Sequence, residues 1–564
     1  MSDLDNLITT DVDPHDIAEL ADEDLASAIA AEKKLMKGLT RLDARAWIDK
    51  KTRSLQQSMM ALTAIRNTLA AVNNLPDEIL VEIFWILALN VRPSLSAIGK
   101  MRPIAGISWL VVAKVCRRWR NIALWTPKLY SFIDARNLTI TRIFLRRSNN
   151  LPIDIYMQSN ASSTNVHGIM TEVKPHFLRV RELQFQARYQ SMLALTLHVG
   201  SLSAPMLESL HLEQIAIRRI LALNEAIIMP EVFNGQTPAL RRLYLAHVSI
   251  PWTSPIYTGL TDLHLLLQHS STSPSIDTFL HVLENCPLLE NLTLIRAGPT
   301  LETDLLEYPE PIRLVELARL HEIYLHLSRP IDTQYVIAHL DIPSTASITI
   351  CCQLDSDQDF SAVLPRDCNA LKGLPHVRRL RFYVEDVQSI TLTGYTQSSA
   401  KVLSMSLFVG ESEGMLKPRL FFSQISRFFP VSHLEELQVV DCAAYLSKEK
   451  YAEVLSNLPS LTHLTASEKW PSQQRQILSA LTVPSSRNGC IVCPSLKVLR
   501  FSGLDSKLEV IDSVANACRS RASKGAALDA VHVAGLSDEA ILFLQQMDVV
   551  SAINVDDSWV EEVG

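Results

Sequence analysis

"LRRLYL", residues Leu240 to Leu245, carries apolar side chains at its first, fourth and sixth positions. The same spacing occurs at eleven places along the chain. The apolar positions of the eleven motifs are Val180/Leu183/Phe185, Leu207/Leu210/Leu212, Leu240/Leu243/Leu245, Leu260/Leu263/Leu265, Leu289/Leu292/Leu294, Leu320/Ile323/Leu325, Val377/Leu380/Phe382, Leu434/Leu437/Val439, Leu461/Leu464/Ala466, Leu496/Leu499/Phe501 and Leu528/Val531/Val533. Their first positions lie 20 to 57 residues apart. A repeat in this range with one short strand in each unit is typical of a leucine-rich-repeat solenoid.

Helical segments precede several of these motifs, for example Thr278–Glu290 and Tyr451–Thr462. One strand and one helix cannot bury their own apolar faces, whereas stacked units share a continuous core. The pattern therefore predicts an α/β fold, an irregular solenoid (horseshoe) of alternating helices and parallel strands. Each of two gaps of 57 residues is expected to hide one degenerate repeat, at Ser347–Ile350 and Leu403–Phe408. The alternative is an α/β globule in which the leucine spacing is accidental.

Residues between the apolar positions of each strand point to its other face, because side chains alternate along a strand. On this predicted concave face the side chains are mixed in charge and include Tyr and Arg, which often anchor protein contacts. We predict a substrate-binding surface for a protein or peptide there. The alternative is that these are ordinary solvated residues and that loops at the rim bind the partner. The predicted residues are Arg242, Tyr244, Asn291, Thr293, Glu322, Tyr324, Arg379, Arg381, Glu436, Gln438, His463 and Arg500.

Composition excludes several classes of partner. The 564 residues carry a net charge of −7, which argues against nucleic acid because that partner would favour a basic surface. Residues 1–31 contain nine carboxylates and neither Lys nor Arg, so we expect an acidic disordered tail. No apolar run reaches the roughly 18 residues of a membrane-spanning helix, so no membrane partner is predicted. Nine scattered cysteines and the absence of signal-peptide features favour a reducing compartment, cytoplasmic and/or nuclear.

Residues 32–72 are predicted to form an amphipathic helix. Leu55, Met59, Leu62 and Ile65 follow a helical stripe. One interpretation is a coiled coil that makes a dimer through residues 32–72. The other is a single helix folded onto the next domain, because sustained heptads are lacking.

Two further amphipathic helices are predicted in "LPDEILVEIF" (Leu75–Phe84) and "VCRRWRNIA" (Val115–Ala123). Each taken alone is typical of a core helix in a small bundle. Together they resemble the F-box, the helical module that docks on the adaptor subunit of cullin–RING ubiquitin ligases. The segment Phe144–Met157 also resembles the link that follows the F-box in a large fungal group with leucine-rich repeats. The spacer between the two motifs, residues 88–107, is longer than in the compact module.

The resemblance implies an adaptor-binding surface on these helices and on a middle helix around Trp109–Val112. An adaptor interface keeps apolar side chains for its partner, so this surface is expected to be partly exposed. The residues implied are Leu75, Pro76, Ile79, Leu80, Ile83, Phe84, Leu110, Val111, Val115, Cys116, Trp119 and Ile122.

No pattern in the sequence predicts catalysis. Gly410–Gly414 matches Gly-x-Ser-x-Gly, but Pro418 stands where the helix after a nucleophile elbow should run, so a polar loop is expected. Cys490 and Cys493 have no second pair at zinc-ligand spacing. We therefore predict that the chain is not an enzyme and needs no metal or cofactor.

Two functions of different class follow. The first is the substrate-recognition subunit of an SCF-type cullin–RING ubiquitin ligase, with the ligase adaptor and an unknown substrate protein as partners. The second is a leucine-rich-repeat scaffold or interaction protein without ligase association. The predicted segments are an acidic tail (1–31), the amphipathic helix (32–72), an F-box-like domain (73–133), a linker with the first solenoid strand (134–175), the solenoid (176–540) and a C-terminal cap and tail (541–564).

Overall fold

In a computed structural model, the chain divides into two compact units, Met1–Leu129 and Tyr130–Gly564. The boundary lies shortly before residue 133, the predicted end of the F-box-like domain. The structure describes residues 26–90, 107–159, 163–215, 226–301, 313–365, 371–386, 388–410, 416–429, 431–441, 446–467, 471–483, 491–502, 508–533 and 552–554. Three predicted segments lie wholly or mostly outside the described residues: the acidic tail up to residue 25, the spacer from 91 to 106, and the C-terminal segment 541–564.

Helices make up the described part of the first unit. They are α1 (26–35), α2 (Arg41–Thr68), α3 (Asp77–Asn90) and α4 (Arg117–Trp125). Gly38 has a φ of +107°, which glycine adopts without strain, and it separates α1 from α2. The Thr40 hydroxyl caps α2 by accepting a hydrogen bond from the Asp43 N–H at 3.2 Å. Residues 26–31 lie in α1, so helical structure begins inside the segment predicted to be a disordered tail.

The core of the first unit lies on one side of α3. Leu80, Phe84 and Ala88 are four residues apart and share a helix face, and all three are buried. α3 contacts α4, where Ile122 and Ala123 are buried. In contrast, none of the 28 residues of α2 is buried. Of α2 and α3, only α3 therefore buries apolar side chains within its unit.

A sheet of 17 strands dominates the second unit. Among the described strands, only β15 runs against its neighbours. Two further pairs, β5–β7 and β10–β12, form separate parallel sheets. The strands are β1 (Phe132–Asp134), β2 (Ile153–Ser159), β3 (Val180–Ala187), β4 (Ser209–Gln214), β5 (Ile227–Ile228), β6 (Arg242–Ala246), β7 (Val248–Ser249), β8 (Asp262–Leu266), β9 (Asn291–Ile295), β10 (Val315–Glu316), β11 (Glu322–His326), β12 (Leu340–Asp341), β13 (Ser347–Leu354), β14 (Arg379–Asp386), β15 (Ser389–Tyr395), β16 (Lys401–Val409), β17 (Glu436–Val440), β18 (His463–Ser467), β19 (Val498–Ser502), β20 (Ala530–Val533) and β21 (Ala552–Asn554).

Helices alternate with many of these strands. They are α5 (Leu138–Arg147), α6 (Ser163–Val173), α7 (Tyr189–Val199), α8 (Ile276–Glu284), α9 (Pro330–Ala338), α10 (Pro418–Phe428), α11 (Lys448–Leu455), α12 (Pro471–Ala480) and α13 (Leu508–Ser523). Consecutive helices contact each other from α5 to α7 and again from α10 to α13. The coarser part of the fold prediction, a mixed α/β chain with a large and mostly parallel sheet, is confirmed.

Each of the eleven sequence motifs contributes a strand to the large sheet, and the two weaker candidates form β13 and β16. β15 was not predicted. The order in space is β13, β16, β15, β14, β17, so the sheet reverses the chain order here. Short turns can join β14, β15 and β16 because antiparallel strands need no crossover helix. The second gap of 57 residues lies between the motifs that begin at Val377 and Leu434. It therefore holds a hairpin insertion instead of one hidden repeat.

Strand register aligns the core residues of the sheet into one apolar row. A single glycine, Gly394, interrupts it, and a Cβ atom there would lie 3.2 Å from a methyl of Val377. Side-chain burial is described for all of the row except Ile553, and each of those residues is buried. The row is Ile133, Ile155, Leu183, Leu210, Leu243, Leu263, Leu292, Ile323, Ile348, Leu403, Gly394, Leu380, Leu437, Leu464, Leu499, Val531 and Ile553.

Candidate functional site

The start of α3 is held in place by Arg118 of α4. The Arg118 guanidinium donates to the Asp77 carboxylate at 3.0 Å and to the Leu75 carbonyl oxygen at 2.6 Å. It also donates to the carbonyl oxygen of Asn73. A basic residue of the second sequence motif thus positions the first motif.

Trp119 and Cys116 also have structural contacts in this unit. The Trp119 indole N–H donates to Asn73 Oδ1 at 2.8 Å, and its ring centroid lies 5.1 Å from that of Phe84. Cys116 precedes α4, and its Sγ accepts a weak hydrogen bond from the Trp119 N–H at 3.5 Å. Both side chains remain half-buried, so each combines a structural contact with some accessible surface.

Several predicted adaptor-binding residues present apolar surface to solvent. Ile79 is 48% exposed, Val111 59% and Val115 54%, and Pro76 is also exposed. Apolar side chains left uncovered in this way are typical of a surface that binds a partner. The half-buried members of the predicted set are Leu75, Ile83, Leu110, Cys116 and Trp119.

Leu80, Phe84 and Ile122 are core residues. Leu80 and Phe84 are fully buried and Ile122 is nearly so. The prediction that these three side chains contact the adaptor directly is therefore wrong. Helical spacing identified them as apolar positions, but spacing alone does not tell which side of a helix its own unit covers.

Sequence reasoning missed several exposed apolar residues on and between these helices, and Ile86 and Trp125 are the most exposed of them. Ile86 lies on α3, three residues after Ile83 and seven after Ile79, so helical periodicity could have identified it. Trp125, the last residue of α4, is 84% exposed. Trp125 follows Ile122 by three residues, so helical periodicity could have identified it as well.

The segment predicted to contain a middle helix forms a 3₁₀-helix, Ser108–Lys114. Trp109 and Val112 are buried, whereas Val111 between them is exposed. A 3₁₀-helix has three residues per turn, so Trp109 and Val112 lie on the same side. Val111 therefore points elsewhere and joins the exposed apolar residues of the unit.

The opposite face of the large sheet carries a second row, which we call the polar row. Each of its residues is next to a residue of the apolar row in its strand, before it in β15 and after it in the other strands, so the two rows belong to opposite faces of the sheet. Every residue in it is polar. The polar row is Asp134, Tyr156, Gln184, His211, Tyr244, His264, Thr293, Tyr324, Thr349, Ser404, Thr393, Arg381, Gln438, Thr465, Arg500, His532 and Asn554.

The twelve predicted substrate-binding residues lie on this face, in three groups. Six belong to the polar row: Tyr244, Thr293, Tyr324, Arg381, Gln438 and Arg500. Three share a neighbouring row between β6 and β11: Arg242, Asn291 and Glu322. Three align across β14, β17 and β18: Arg379, Glu436 and His463. The last two groups are separated because β16 and β15 lie between β13 and β14.

Aromatic and histidine side chains pack together in the polar row between β4 and β9. The rings of His211 and Tyr244 stack with their centroids 4.0 Å apart, and the Tyr244 and His264 centroids are 6.1 Å apart. His264 Nδ1 lies 2.9 Å from Thr293 Oγ1. Thr293 is buried, so the prediction that it contacts substrate is wrong. Its hydroxyl bonds a neighbouring side chain of the sheet.

Burial sets the charge state of this part of the row. It raises the pKa of Tyr244 and lowers the pKa of His264, so both side chains are neutral at pH 7. Burial by itself also raises the pKa of Glu213, but hydrogen bonds from His211 and Gln186 outweigh it and leave that pKa below its ordinary value. This part of the face therefore presents the Glu213 carboxylate near the neutral rings of Tyr244 and His264.

Arginine side chains mark the other part of the face, on β14 and β19. The Arg379 guanidinium lies over the Tyr395 ring, 4.7 Å from its centroid. Arg500 Nη1 lies 3.9 Å from the Glu436 carboxylate. These side chains and Arg381 are half-buried. Planar guanidinium groups held against rings and carboxylates are suited to binding a protein surface.

The described residues hold neither a metal site nor a membrane-spanning helix. No group of three or more His, Cys, Asp or Glu among them is arranged to hold a metal ion. Within the same residues, no helix is both long and apolar enough to cross a membrane. Cys493 is buried, and burial raises the pKa of its thiol to about 12. Cys490 and residues 411–414 of the Gly-x-Ser-x-Gly match lie outside the described residues.

Comparison with solved structures gives a distant likeness, whereas comparison with protein sequences gives none. No protein-family profile and no curated protein matches the chain. It is similar to a chain in the crystal structure of the Rad7 and Elc1 complex in yeast, at a TM-score of 0.24 and 12% identity, over 89% of this chain and 96% of that one. A TM-score of this size does not establish a common fold, so no property of that complex is carried over.

Proposed function

We propose that this chain is the substrate-recognition subunit of an SCF-type cullin–RING ubiquitin ligase. The first unit docks on the ligase adaptor through its F-box-like helices, and the polar face of the large sheet binds a target protein. The chain itself performs no chemical step and holds no metal or cofactor in this proposal. Such a complex works in the cytoplasm or the nucleus.

The observation that carries the proposal is the exposed apolar surface on the two motifs that resemble an F-box. Ile79, Val111 and Val115 are about half exposed or more, although the same unit buries Leu80 and Phe84 completely. Hydrogen bonds from Arg118 to Asp77 and from Trp119 to Asn73 hold the second motif against the start of the first. A firmly held module with uncovered apolar residues favours a docking surface over a plain core helix pair.

The polar face supports the recognition half of the proposal. It extends over all 17 strands of the large sheet. Arg379, Arg381 and Tyr324 are half-buried on it, and such residues are the types that most often anchor protein contacts. The mixture of Arg, Glu, Tyr and His favours a protein over a polyanion, which would require a basic surface.

The docking half is tested by capture of the purified adaptor on the immobilised full-length chain. Replacing Ile79 and Val115 by Asp places two charges in an apolar interface, so binding should fall by at least about 100-fold. Leu178 and Leu197, which are also exposed, provide the matched control, and their change to Asp should leave capture unchanged. Lack of adaptor binding by the wild-type chain would support the scaffold alternative instead.

The recognition half is tested by proximity labelling in cells. Alanine at Tyr244, Tyr324, Arg379 and Arg381 should remove the substrate proteins from the labelled set while the adaptor remains in it. Alanine at the exposed Arg188, Tyr189 and Arg296 is the control. An unchanged set of labelled proteins in the fourfold variant would exclude this face as the recognition surface.

A further inference from the structure

α2 is a 28-residue helix without a single buried residue. At 1.5 Å per residue it is about 42 Å long. Helices in water depend on packing of an apolar face for most of their stability. A helix of this length with every residue accessible therefore lacks the contact that normally stabilises it.

Four apolar residues of this segment are spaced seven residues apart: Ile48, Leu55, Leu62 and Leu69, the C-cap of α2. Their exposed fractions run from 46% to 79%. Met59 and Ile65 lie beside them and are also exposed. We call these six residues the α2 stripe. A seven-residue apolar period is the signature of helices that pair in a coiled coil.

Most of the stripe does not face the rest of its own unit. A groove in the first unit is lined on the α2 side by residues such as Met60, Ala64 and Asn67, together with Met59 of the stripe, and on the other side by residues such as Lys114 and Arg117. At 100° per residue Met60, Ala64 and Asn67 lie about a third of a turn or more from the line of Leu55 and Leu62, and Met59 lies between that line and the groove. The other five residues of the stripe do not line the groove and stay exposed.

We propose that a second copy of this chain covers the α2 stripe, so that the protein is a homodimer joined by a two-helix coiled coil. Burying a Leu- or Ile-sized side chain removes roughly 60–120 Å² from water. Six such residues from each of two helices bury about 1,000 Å², which reaches the lower limit of a specific interface.

Charge favours a second copy over an unlike partner. From Ser54 to Ile65 the helix contains no charged residue. Two copies meeting over this segment suffer no like-charge repulsion, and a charged partner finds no opposite charge with which to pair. The flanking side chains, such as Gln56 and Ser58, are neutral and polar. This surface is complementary to itself.

The test is the mass of the purified full-length chain by light scattering and sedimentation equilibrium at micromolar concentration. The wild-type chain should have a mass near twice the 63.1 kDa of one copy. Replacing Leu55 and Leu62 by Glu should weaken self-association by about 100-fold or more. The control replaces Leu42 and Gln57 by Glu, which adds the same charge to the exposed opposite side of α2 and should leave the dimer intact.

Three results would overturn the proposal: a monomeric wild-type chain, a stripe variant that still dimerises, or a control variant that dissociates equally. Circular dichroism of both variants checks that the chain remains folded, because all four positions are exposed. Adaptor capture by the stripe variant should equal that of the wild type. This readout keeps the dimer separate from the proposed ligase function.

Discussion

The two units use the same kinds of apolar residue in opposite ways. In the large sheet, Leu243, Leu263 and Leu437 belong to a row that neighbouring strands seal on both sides, and each is buried. In the first unit, Val111 and Val115 stand in solvent. The apolar row of the sheet stabilises the fold, whereas Val111 and Val115 of the first unit stay accessible to solvent.

The reason for this difference is geometric. A strand inside a sheet has a neighbour on each side, and its apolar face is covered by the next layer of the fold. α3 is a single helix whose unit covers only the side of Leu80 and Phe84. Its other side stays open unless another molecule covers it. Four predictions distinguish the two uses, from the largest effect to the smallest.

Replacing Leu437 by Ala should destabilise the second unit by about 3 kcal/mol. Leu437 is fully buried in the apolar row between Leu380 and Leu464, so the change removes buried methyl groups and leaves a cavity. Hydrogen exchange of the β17 and β18 amides measures the effect locally. Leu197→Ala, at an exposed site, should have almost none. If the β17 and β18 amides are equally protected from exchange in the two variants, the contrast between the units does not hold.

Replacing Arg181 by Met should destabilise the same unit by about 2 kcal/mol. Arg181 donates to both carboxylate oxygens of buried Asp154, at 2.9 and 2.6 Å. The change leaves a buried charge without this partner, and the figure is discounted because Arg181 itself is partly exposed. Chemical denaturation of the two proteins gives the difference. The double change Arg181→Met with Asp154→Leu also removes the buried carboxylate and should recover much of the lost stability. If it does not, lost packing of the Arg181 side chain explains the effect instead.

His264→Gln should flatten the pH dependence of stability. Burial lowers the pKa of His264 in the folded state, so the unfolded chain binds the proton more readily. The stability from the neutral ring is full above about pH 6.5 and is lost as the pH falls below it. His211 lowers this pKa further, and Asp262 and Glu322 oppose the shift.

Between pH 7 and 5 the wild-type chain should therefore lose more stability than the variant. Denaturant midpoints measured at several pH values give this difference. His281→Gln, on an exposed helical position, is the control and should keep the wild-type slope. Parallel slopes for wild type and His264→Gln would show that the buried ring does not couple to folding.

Replacing Val111 and Val115 by Ser should change stability by less than about 0.5 kcal/mol, because both side chains are already exposed. The same variant should bind the ligase adaptor more weakly. Thermal unfolding and adaptor capture measured on one preparation give both values. A large loss of stability would mean that these residues support the fold and would remove the contrast drawn above.

Most strands of the large sheet could be predicted from sequence because the apolar spacing of each motif is local. The order β13, β16, β15, β14, β17 could not, because nothing in a single strand states which neighbour it will join. This arrangement favours a glycine at position 394, because a side chain there would crowd Val377. The hairpin insertion is visible only in the pairing.

For the first unit, the sequence identified the helices that carry exposed apolar residues, but it did not show which side of each helix is exposed. Helical period placed Ile79, Leu80 and Ile83 in one stripe, whereas the structure exposes Ile79 and buries Leu80 completely. Trp125, the last residue of α4, continues the helical spacing of Trp119 and Ile122 but was not included. On the sheet, alternation correctly placed Tyr244 and Arg381 opposite the core.

The sequence by itself determined the local features: the strand positions, the amphipathic helices and the two faces of each strand, since each depends on side chains a few residues apart. Only the tertiary structure decided which apolar side chains are covered, how β14 to β16 are ordered, and that a polar row runs from Asp134 to Asn554. Those properties depend on contacts between residues far apart in the chain. Packing and strand register, not local preference, determine them.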